Sequence, residues 1–245
     1  MKKIGLQLYT VRSLADDKSL FETIKKLGYE EVELFGGIDI MESLADKAVD
    51  ANMPISGTIS NYAVYRDTET IIKFCRKYNI HNLGISAQRF ETLTEIQTFI
   101  SEAEKMAKEF SKSGIKVSYH NHSHEFIRLD NGKTMYEMLA DETETIGFIP
   151  DTYWIQHGGA DIRYWLDRLH GRVETIHLKD MKRTRDGQYY ASVGEGNLCW
   201  DGILDAADRS GAKHYVVEQD ECDRDVTDCI GSSADYLKKF QEKGL

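Results

Sequence analysis

The 245-residue sequence is poor in proline, in closely spaced cysteines and in long apolar runs, and each shortage excludes a class of protein. With 2 prolines and no low-complexity segment there is no evident linker, so we expect residues 1–245 to form a single domain. The 4 cysteines have neither CxxC spacing nor the density of a disulfide scaffold, which favours reduced thiols in a cytoplasm. No stretch approaches the roughly 18 apolar residues of a membrane span, and early charged residues interrupt any signal-peptide core.

Positive charge is also scarce. The chain has 31 Lys and Arg against 41 Asp and Glu, a formal net charge of −10. Nucleic acids and anionic membranes attract basic surfaces, so neither is an expected partner. No G-x-G-x-x-G or P-loop follows the first predicted strand, which removes the usual nucleotide-binding motifs of an open doubly wound sheet.

Strand and helix patterns alternate along the chain. The predicted strands are residues 4–9, 31–35, 54–59, 82–86, 115–119, 146–150, 173–179 and 214–219. The predicted helices are residues 20–27, 41–51, 68–78, 91–110, 134–140, 161–169, 200–210 and 232–242, with Gly28 as a C-cap and Thr68 and Asp161 as N-caps. Residues 181–196 are expected to form a long polar loop. Eight alternating units predict an α/β fold, a (β/α)8 TIM barrel.

Polar residues recur on one face of these strands and apolar residues on the other. Gln7 and Tyr9 share the polar face of the first strand, and His120 and His122 share that of the fifth, because residues two apart point the same way. A barrel interior is packed with side chains, so such polar groups are expected near its C-terminal mouth, where active sites lie.

A histidine-rich segment follows the fifth strand, with His120, His122 and His124 alternating and Glu125 directly after them. Imidazoles at a strand end, with a carboxylate close by, are typical of a metal or acid/base site. An exposed run of hydrogen-bonded polar residues is the structural alternative.

Three more strand ends carry possible metal ligands: Asp151 after strand six, His177 in strand seven and Glu218 in strand eight. With Glu125, four consecutive strands supply Glu, Asp, His and Glu, a set that suits Mn²⁺, Mg²⁺, Co²⁺ or Zn²⁺. Singly, Asp151 could cap a turn, His177 could be a hydrogen-bonded interior residue, and Glu218 could pair with Lys179.

Six motifs in order resemble the xylose isomerase-like barrel superfamily, and within it the sugar phosphate isomerase/epimerase group. They are Gln7-Leu-Tyr-Thr-Val-Arg12, Tyr119-His-Asn-His122 with Glu125-Phe126, Asp151-Thr-Tyr-Trp154, His177-Leu-Lys-Asp180, Val193-Gly-Glu-Gly196 and Val217-Glu-Gln-Asp220. The resemblance implies a divalent metal held by Glu125, Asp151, His177 and Glu218 and chelated by sugar oxygens. It also allows a homodimer.

One departure concerns the first ligand. Ketose 3-epimerases of the superfamily carry a glutamate inside strand five, where this sequence has His120 or His122 and places Glu125 in the next loop. Either Glu125 reaches back to the metal or a histidine replaces it.

The reaction that the resemblance implies is isomerisation or epimerisation of a sugar or keto-sugar, by proton abstraction α to a carbonyl through an enediolate. The alternative is a metal-dependent dehydratase or lyase acting on a keto-inositol or 3-keto-glycoside. His122 or His120 is the predicted acid/base, and Glu218 a ligand and second base.

Further residues are predicted to contact the substrate. Lys179 would bind a substrate oxygen or stabilise the enolate, or else form a structural ion pair. Gln7, Tyr9 and Trp154 are predicted to contact the carbohydrate, the two rings as an apolar floor.

Two other classes of protein are alternatives to such an enzyme. Endonuclease IV-type repair enzymes share the barrel but need a basic DNA-binding face, which a net charge of −10 disfavours. A degenerate sugar-binding barrel without turnover is the non-enzymatic alternative, and it would hold no metal.

Overall fold

Eight parallel strands close into a barrel in the computed structural model, which describes residues 2–242. The ten strands among residues 2–242 are β1 (Lys3–Gln7), β2 (Glu31–Phe35), β3 (Ile55–Ser60), β4 (Asn82–Ile85), β5 (Lys116–His120), β6 (Gly147–Ile149), β7 (Thr175–Leu178), β8 (Asp180–Arg183), β9 (Gln188–Ala191) and β10 (His214–Val217). Of these, β8 and β9 form a separate two-stranded sheet, and the other eight form the barrel. The order in the barrel is β6-β5-β4-β3-β2-β1-β10-β7. Single bridges Phe148–Val173 and Asp151–His177 join β6 to β7, which confirms the predicted TIM barrel.

Helices connect the strands around the outside of the barrel. They are α1 (Leu20–Leu27), α2 (Ile38–Asp50), α3 (Thr68–Tyr78), α4 (Leu93–Ser111), α5 (Met135–Glu142), α6 (Thr152–His157), α7 (Ile162–Arg168), α8 (Trp200–Ser210) and α9 (Val226–Glu242). Within residues 2–242 no helix is long and apolar enough to cross a membrane. The short α6 was not predicted, and it starts where the Asp151 side chain accepts a hydrogen bond from the Trp154 amide.

The apolar strand residues pack under the helices, where Leu6, Leu34 and Ile176 are fully buried. The polar set is buried as well, and it includes Gln7 and Glu33. Because a buried polar group must find a partner, this inner set is bound together by hydrogen bonds near the carboxyl ends of the strands.

Two predicted features are wrong. Residues 181–196 do not form a plain loop, because β8 and β9 pair in an antiparallel hairpin there. The sequence did not predict these strands because side chains of both, such as Lys182 and Tyr189, are exposed. Exposed strands need no alternation of apolar and polar residues, and that alternation is the pattern by which strands are recognised. The N-cap of α3 is Asp67 rather than Thr68, since the Asp67 carboxylate accepts the Thr70 amide.

The glycine ends of two helices follow the prediction. Gly28 after α1 and Gly211 after α8 adopt left-handed φ angles of 96° and 98°. Any other residue pays a steric penalty in this region because its Cβ approaches the next carbonyl oxygen.

Gly211→Ala should therefore lower the free energy of unfolding by about 1–2 kcal/mol. The added Cβ has room, since its nearest neighbour would be the Val173 carbonyl oxygen at 3.8 Å, so the loss reports backbone strain alone. Gly202→Ala, inside the same helix, is the matched control and should instead stabilise by roughly 0.5–1 kcal/mol. Urea unfolding of both variants measures the difference, and equal stabilities would contradict the assigned conformation.

Candidate metal and catalytic site

Four buried side chains converge at the carboxyl end of the barrel. His120 ends β5, Asp151 follows β6, His177 lies in β7 and Glu218 follows β10. One possible ligand atom from each lies within 4.8 Å of those of the others. Parallel neighbouring strands bring these positions to one level, as the bridge between Asp151 and His177 shows. The structure thus joins three of the predicted ligands with a histidine of the fifth strand.

His177 is held by carboxylates on both ring nitrogens. Its Nδ1 lies 3.0 Å from Glu218 Oε2, and its Nε2 lies 2.7 Å from Glu33 Oε2. Burial disfavours the charged ring, but the two carboxylates outweigh burial and raise the pKa of His177 to about 10. Gln7 donates a second hydrogen bond to Glu33 Oε2 at 2.6 Å, which fixes that carboxylate in place.

Glu33 is a candidate functional residue that the sequence analysis did not single out. A histidine that binds a metal through one nitrogen usually donates its other N–H to a carboxylate, which sets its tautomer and orientation. The contacts of His177 match this arrangement, with Nδ1 on the side of Glu218 and Nε2 donating to Glu33. The available signal was the polar face of the second strand, which carries Glu33 into the barrel interior.

Lys179 supplies positive charge next to the cluster. The side chain is 1% exposed, and its Nζ lies 2.7 Å from Asp220, 3.3 Å from Glu218 and 3.7 Å from Asp151. Burial alone would lower the pKa of Lys179, yet these carboxylates raise it above its usual value. Lys179 therefore stays protonated and balances the negative charge of the mouth.

The donor set fits a divalent ion. His120 Nε2 lies 3.4 Å from Asp151 Oδ2 and 3.8 Å from Glu218 Oε2, so the imidazole points at both carboxylates without a close hydrogen bond. Two imidazoles and two carboxylates, all buried, form a combination used for Zn²⁺, Mn²⁺ or Co²⁺.

Glu125 lies outside this group of four. Its carboxylate is fully buried and accepts hydrogen bonds from the Tyr119 hydroxyl at 2.7 Å and the His122 amide at 2.9 Å. His124 Nε2 lies 3.2 Å from the same carboxylate. These contacts hold the turn that follows β5 and thereby place His122.

His122 lies beyond the end of β5 and stacks on Trp154, with ring centroids 4.6 Å apart and an interplanar angle of 26°. Burial, together with the electrostatic effects of the neighbouring His120 and Lys179, lowers the pKa of His122 to about 2. The ring is thus neutral at physiological pH and offers a free lone pair.

A cavity of about 320 Å³ opens over the cluster. Its walls include His120, His122 and Glu218 on one side and Gln7 and Tyr9 on another. Tyr9 is 38% exposed, at the rim, while Trp154 supports the cavity from behind His122. Of the predicted contact residues, Gln7 and Tyr9 line this cavity, whereas Trp154 and Lys179 do not.

A second depression, of about 460 Å³, lies at the opposite, amino-terminal end of the barrel. Its acidic groups are paired, since His214 contacts Glu31 at 2.6 Å and Lys213 contacts Glu174 at 2.7 Å. In these barrels chemistry occurs at the carboxyl end, so the smaller cavity is the candidate site.

Residues 21–240 match the sequence model of the family described as xylose isomerase-like TIM barrel. The chain belongs to this family. Its fold is similar to that of a sugar phosphate isomerase/epimerase from Parabacteroides distasonis, with a TM-score of 0.80 and 22% identity over 97% of this chain and 93% of that chain. It is similar also to the IOLI protein with a bound zinc atom, with a TM-score of 0.74 and 13% identity over 98% of both chains.

A curated relative shares part of the sequence. An inosose dehydratase from Mesomycoplasma hyopneumoniae (strain 7448) is 30% identical over 95 residues, which are 38% of this chain and 31% of that protein. The match thus covers less than a third of that relative's length.

The raised pKa of His177 predicts a pH-dependent stability in metal-free protein. The folded-state value of about 10 exceeds the ordinary value of 6.5, so the stabilisation is fully present below pH 6.5 and is lost as the pH rises through 10. Chelator-treated protein should thus be easier to unfold with urea at about pH 9 than at about pH 6. Glu33→Gln removes one of the two carboxylates and should flatten this dependence. An unchanged slope in that variant would contradict the assignment.

Proposed function

We propose that this chain is a divalent-metal-dependent isomerase or epimerase that removes a proton next to the carbonyl of a sugar or keto-sugar. The observation that carries the proposal is the buried group of His120, Asp151, His177 and Glu218, which opens on a cavity that also contains His122. Ligands and a neutral base within one enclosed space are what such proton abstraction requires.

His120, Asp151, His177 and Glu218 would hold the ion, with His120 in the place first predicted for Glu125. When bound, a divalent ion such as Mn²⁺, Mg²⁺, Co²⁺ or Zn²⁺ polarises a substrate carbonyl. Glu33, which lies against Nε2, would orient the His177 ring with Nδ1 toward the ion. Glu125 acts at a distance, by holding the turn on which His122 stands.

His122 is the proposed base, because its neutral ring has a lone pair and lies in the wall of the cavity. A ring with so low a pKa is a weak base, so the negative charge that forms on the substrate must be stabilised. Lys179 remains protonated beside Glu218 and Asp151, so it can donate a hydrogen bond to a substrate oxygen. His122 thus accepts the proton while Lys179 stabilises charge.

The remaining walls suit a carbohydrate. Gln7 presents an amide that can bind hydroxyl groups, and Tyr9 presents a ring at the rim that can cover the apolar face of a sugar. Trp154 keeps the His122 ring in place by stacking. We therefore propose a small carbohydrate as the ligand.

A metal-dependent dehydratase or lyase is the second candidate, favoured by the partial match to an inosose dehydratase. Its first step is the same removal of a proton next to a carbonyl, after which a hydroxyl or glycosyl group on the adjacent carbon leaves. The same His122 and Lys179 would serve, so the product distinguishes the two reactions.

Asp151→Asn and Glu218→Gln should each weaken metal binding strongly. Loss of a residue that only orients a metal ligand typically weakens binding by roughly 10- to 100-fold, and loss of a ligand itself should exceed this. Calorimetric titration with Zn²⁺ and Mn²⁺ measures this without a substrate. Glu31→Gln is the matched control, since Glu31 is also a buried barrel glutamate paired with a histidine, at the opposite end. Wild-type affinity in both mouth variants would exclude the site, and a wild-type protein that binds neither ion would favour a non-catalytic barrel.

The reaction can be tested in D₂O with a panel of ketoses, keto-inositols and 3-keto-glycosides. Metal-loaded protein should introduce deuterium at the carbon next to the carbonyl of its substrate, as detected by NMR. His122→Asn should keep the metal and lower kcat by about 10² to 10⁴, the usual contribution of an acid/base group. Retention of full exchange in His122→Asn would remove His122 from the role of base, and absence of exchange across the panel in metal-loaded wild type would refute the function.

A further inference from the structure

Asp180, the residue after Lys179, is a buried carboxylate that gathers five N–H donors. Its oxygens accept the amides of Met181 at 2.7 Å, Gly194 at 2.9 Å, Gly196 at 3.0 Å and Leu198 at 3.3 Å. The indole Nε1 of Trp200 donates a fifth hydrogen bond at 2.8 Å. The side chain has no exposed surface.

No lysine, arginine or histidine among residues 2–242 forms an ion pair with Asp180. A buried carboxylate without a cation must be stabilised by hydrogen bonds, and here three of the five come from the segment 192–198, which wraps around it. Gly196 makes this wrapping possible, because a Cβ at that position would lie 2.2 Å from Asp180 Oδ1. The segment is therefore built around this carboxylate.

The wrapped segment directly follows strand β9, whose last residue, Ala191, pairs with Asp180 in the hairpin. The preceding residue, Tyr190, faces the site. Its ring centroid lies 5.3 Å from Lys179 Nζ and 4.5 Å from the ring of Tyr153, and the neighbouring Asp220 carboxylate acts on the Tyr190 hydroxyl, whose pKa burial and this carboxylate raise. The contact of Tyr190 with Lys179 and Asp220 thus depends on a strand that is anchored at one end by Asp180.

We propose that Asp180 is a positioning residue: by binding the segment 192–198 it holds Tyr190 over Lys179, and so keeps Lys179 Nζ beside Glu218 and Asp151. The effect on turnover rests on the proposed function, whereas the effect on Lys179 and the hairpin does not. Tyr190 covers Lys179 on one side and Trp154, 5.3 Å from Nζ, on the other, so release of the hairpin exposes the amine.

The first test needs no substrate. Asp180→Asn keeps the shape of the side chain but removes the charge and replaces one acceptor oxygen by an NH₂ group. Acetylation of Lys179 by acetic anhydride, followed by mass spectrometry, should become about tenfold faster, the change expected from the loss of roughly one charge-assisted hydrogen bond. Asp161→Asn is the matched control, because Asp161 also accepts a backbone amide, that of Tyr164 at 3.0 Å, but on an outer helix. If Lys179 in a folded Asp180→Asn protein is acetylated at the wild-type rate, the proposal is wrong.

The second test separates positioning from simple loss of stability. In metal-loaded enzyme, Asp180→Asn should lower kcat by up to about 10²-fold, the effect of a misplaced catalytic group, with KM and metal affinity little changed. Tyr190→Phe removes the hydroxyl that contacts Asp220, and the double variant should lose less than the product of the two single effects, since both act through the same contact. If the loss of kcat in the double variant equals the product of the two single losses, Asp180 does not act through Tyr190.

A milder variant covers the case in which Asp180→Asn does not fold. Trp200→Phe removes one of the five donors and leaves the carboxylate in place. It should raise the acetylation rate of Lys179 in the same direction by a smaller factor, and an unchanged rate would contradict the proposal. If wild-type enzyme shows no turnover at all, the labelling result still decides the role of Asp180, so failure of the proposed function and failure of this inference are distinguishable.

Discussion

A chain of buried ion pairs crosses the carboxyl end of the barrel, from Glu33 through His177, Glu218 and Lys179 to Asp220. Each of these groups would be strongly disfavoured if buried alone, because removal of a charge from water is costly unless a partner compensates it. The chain joins β2, β7 and β10 with the loop after β10, so the charges are balanced only when the barrel is closed. Site and fold therefore depend on each other.

This balance also explains the distribution of protonation states. The carboxylates raise the pKa values of His177 and Lys179, while burial, together with the neighbouring His120 and Lys179, lowers the pKa of His122. The imidazoles of His177 and His122 thus differ in charge because one contacts carboxylates, whereas the other is buried against an aromatic ring. The proposed division between a group that stabilises charge and a group that accepts a proton follows from that difference.

Much of the architecture was predictable because it follows local rules. The bounds of α1, α3 and α8 agree with the predicted helices, since amphipathic spacing marks all three and a left-handed glycine ends α1 and α8. The hairpin of β8 and β9 was not predictable in this way. Its exposed residues, such as Lys182 and Tyr189, show no apolar alternation. The carboxylate of Asp180 that anchors it receives donors up to 20 residues later in the chain.

The sequence by itself determined the barrel and the positions of Asp151, His177 and Glu218 at strand ends. Both follow from local patterns, namely the two-residue period of the strands and the alternation of strands with helices. Only the tertiary structure decided between His120 and Glu125 at the cluster and brought Glu33 to His177 Nε2. Those choices depend on which side chains meet across the barrel, and Glu33 and His177 are 144 positions apart in the sequence. Local periodicity carries no information about such distances, whereas closure of the ring fixes them.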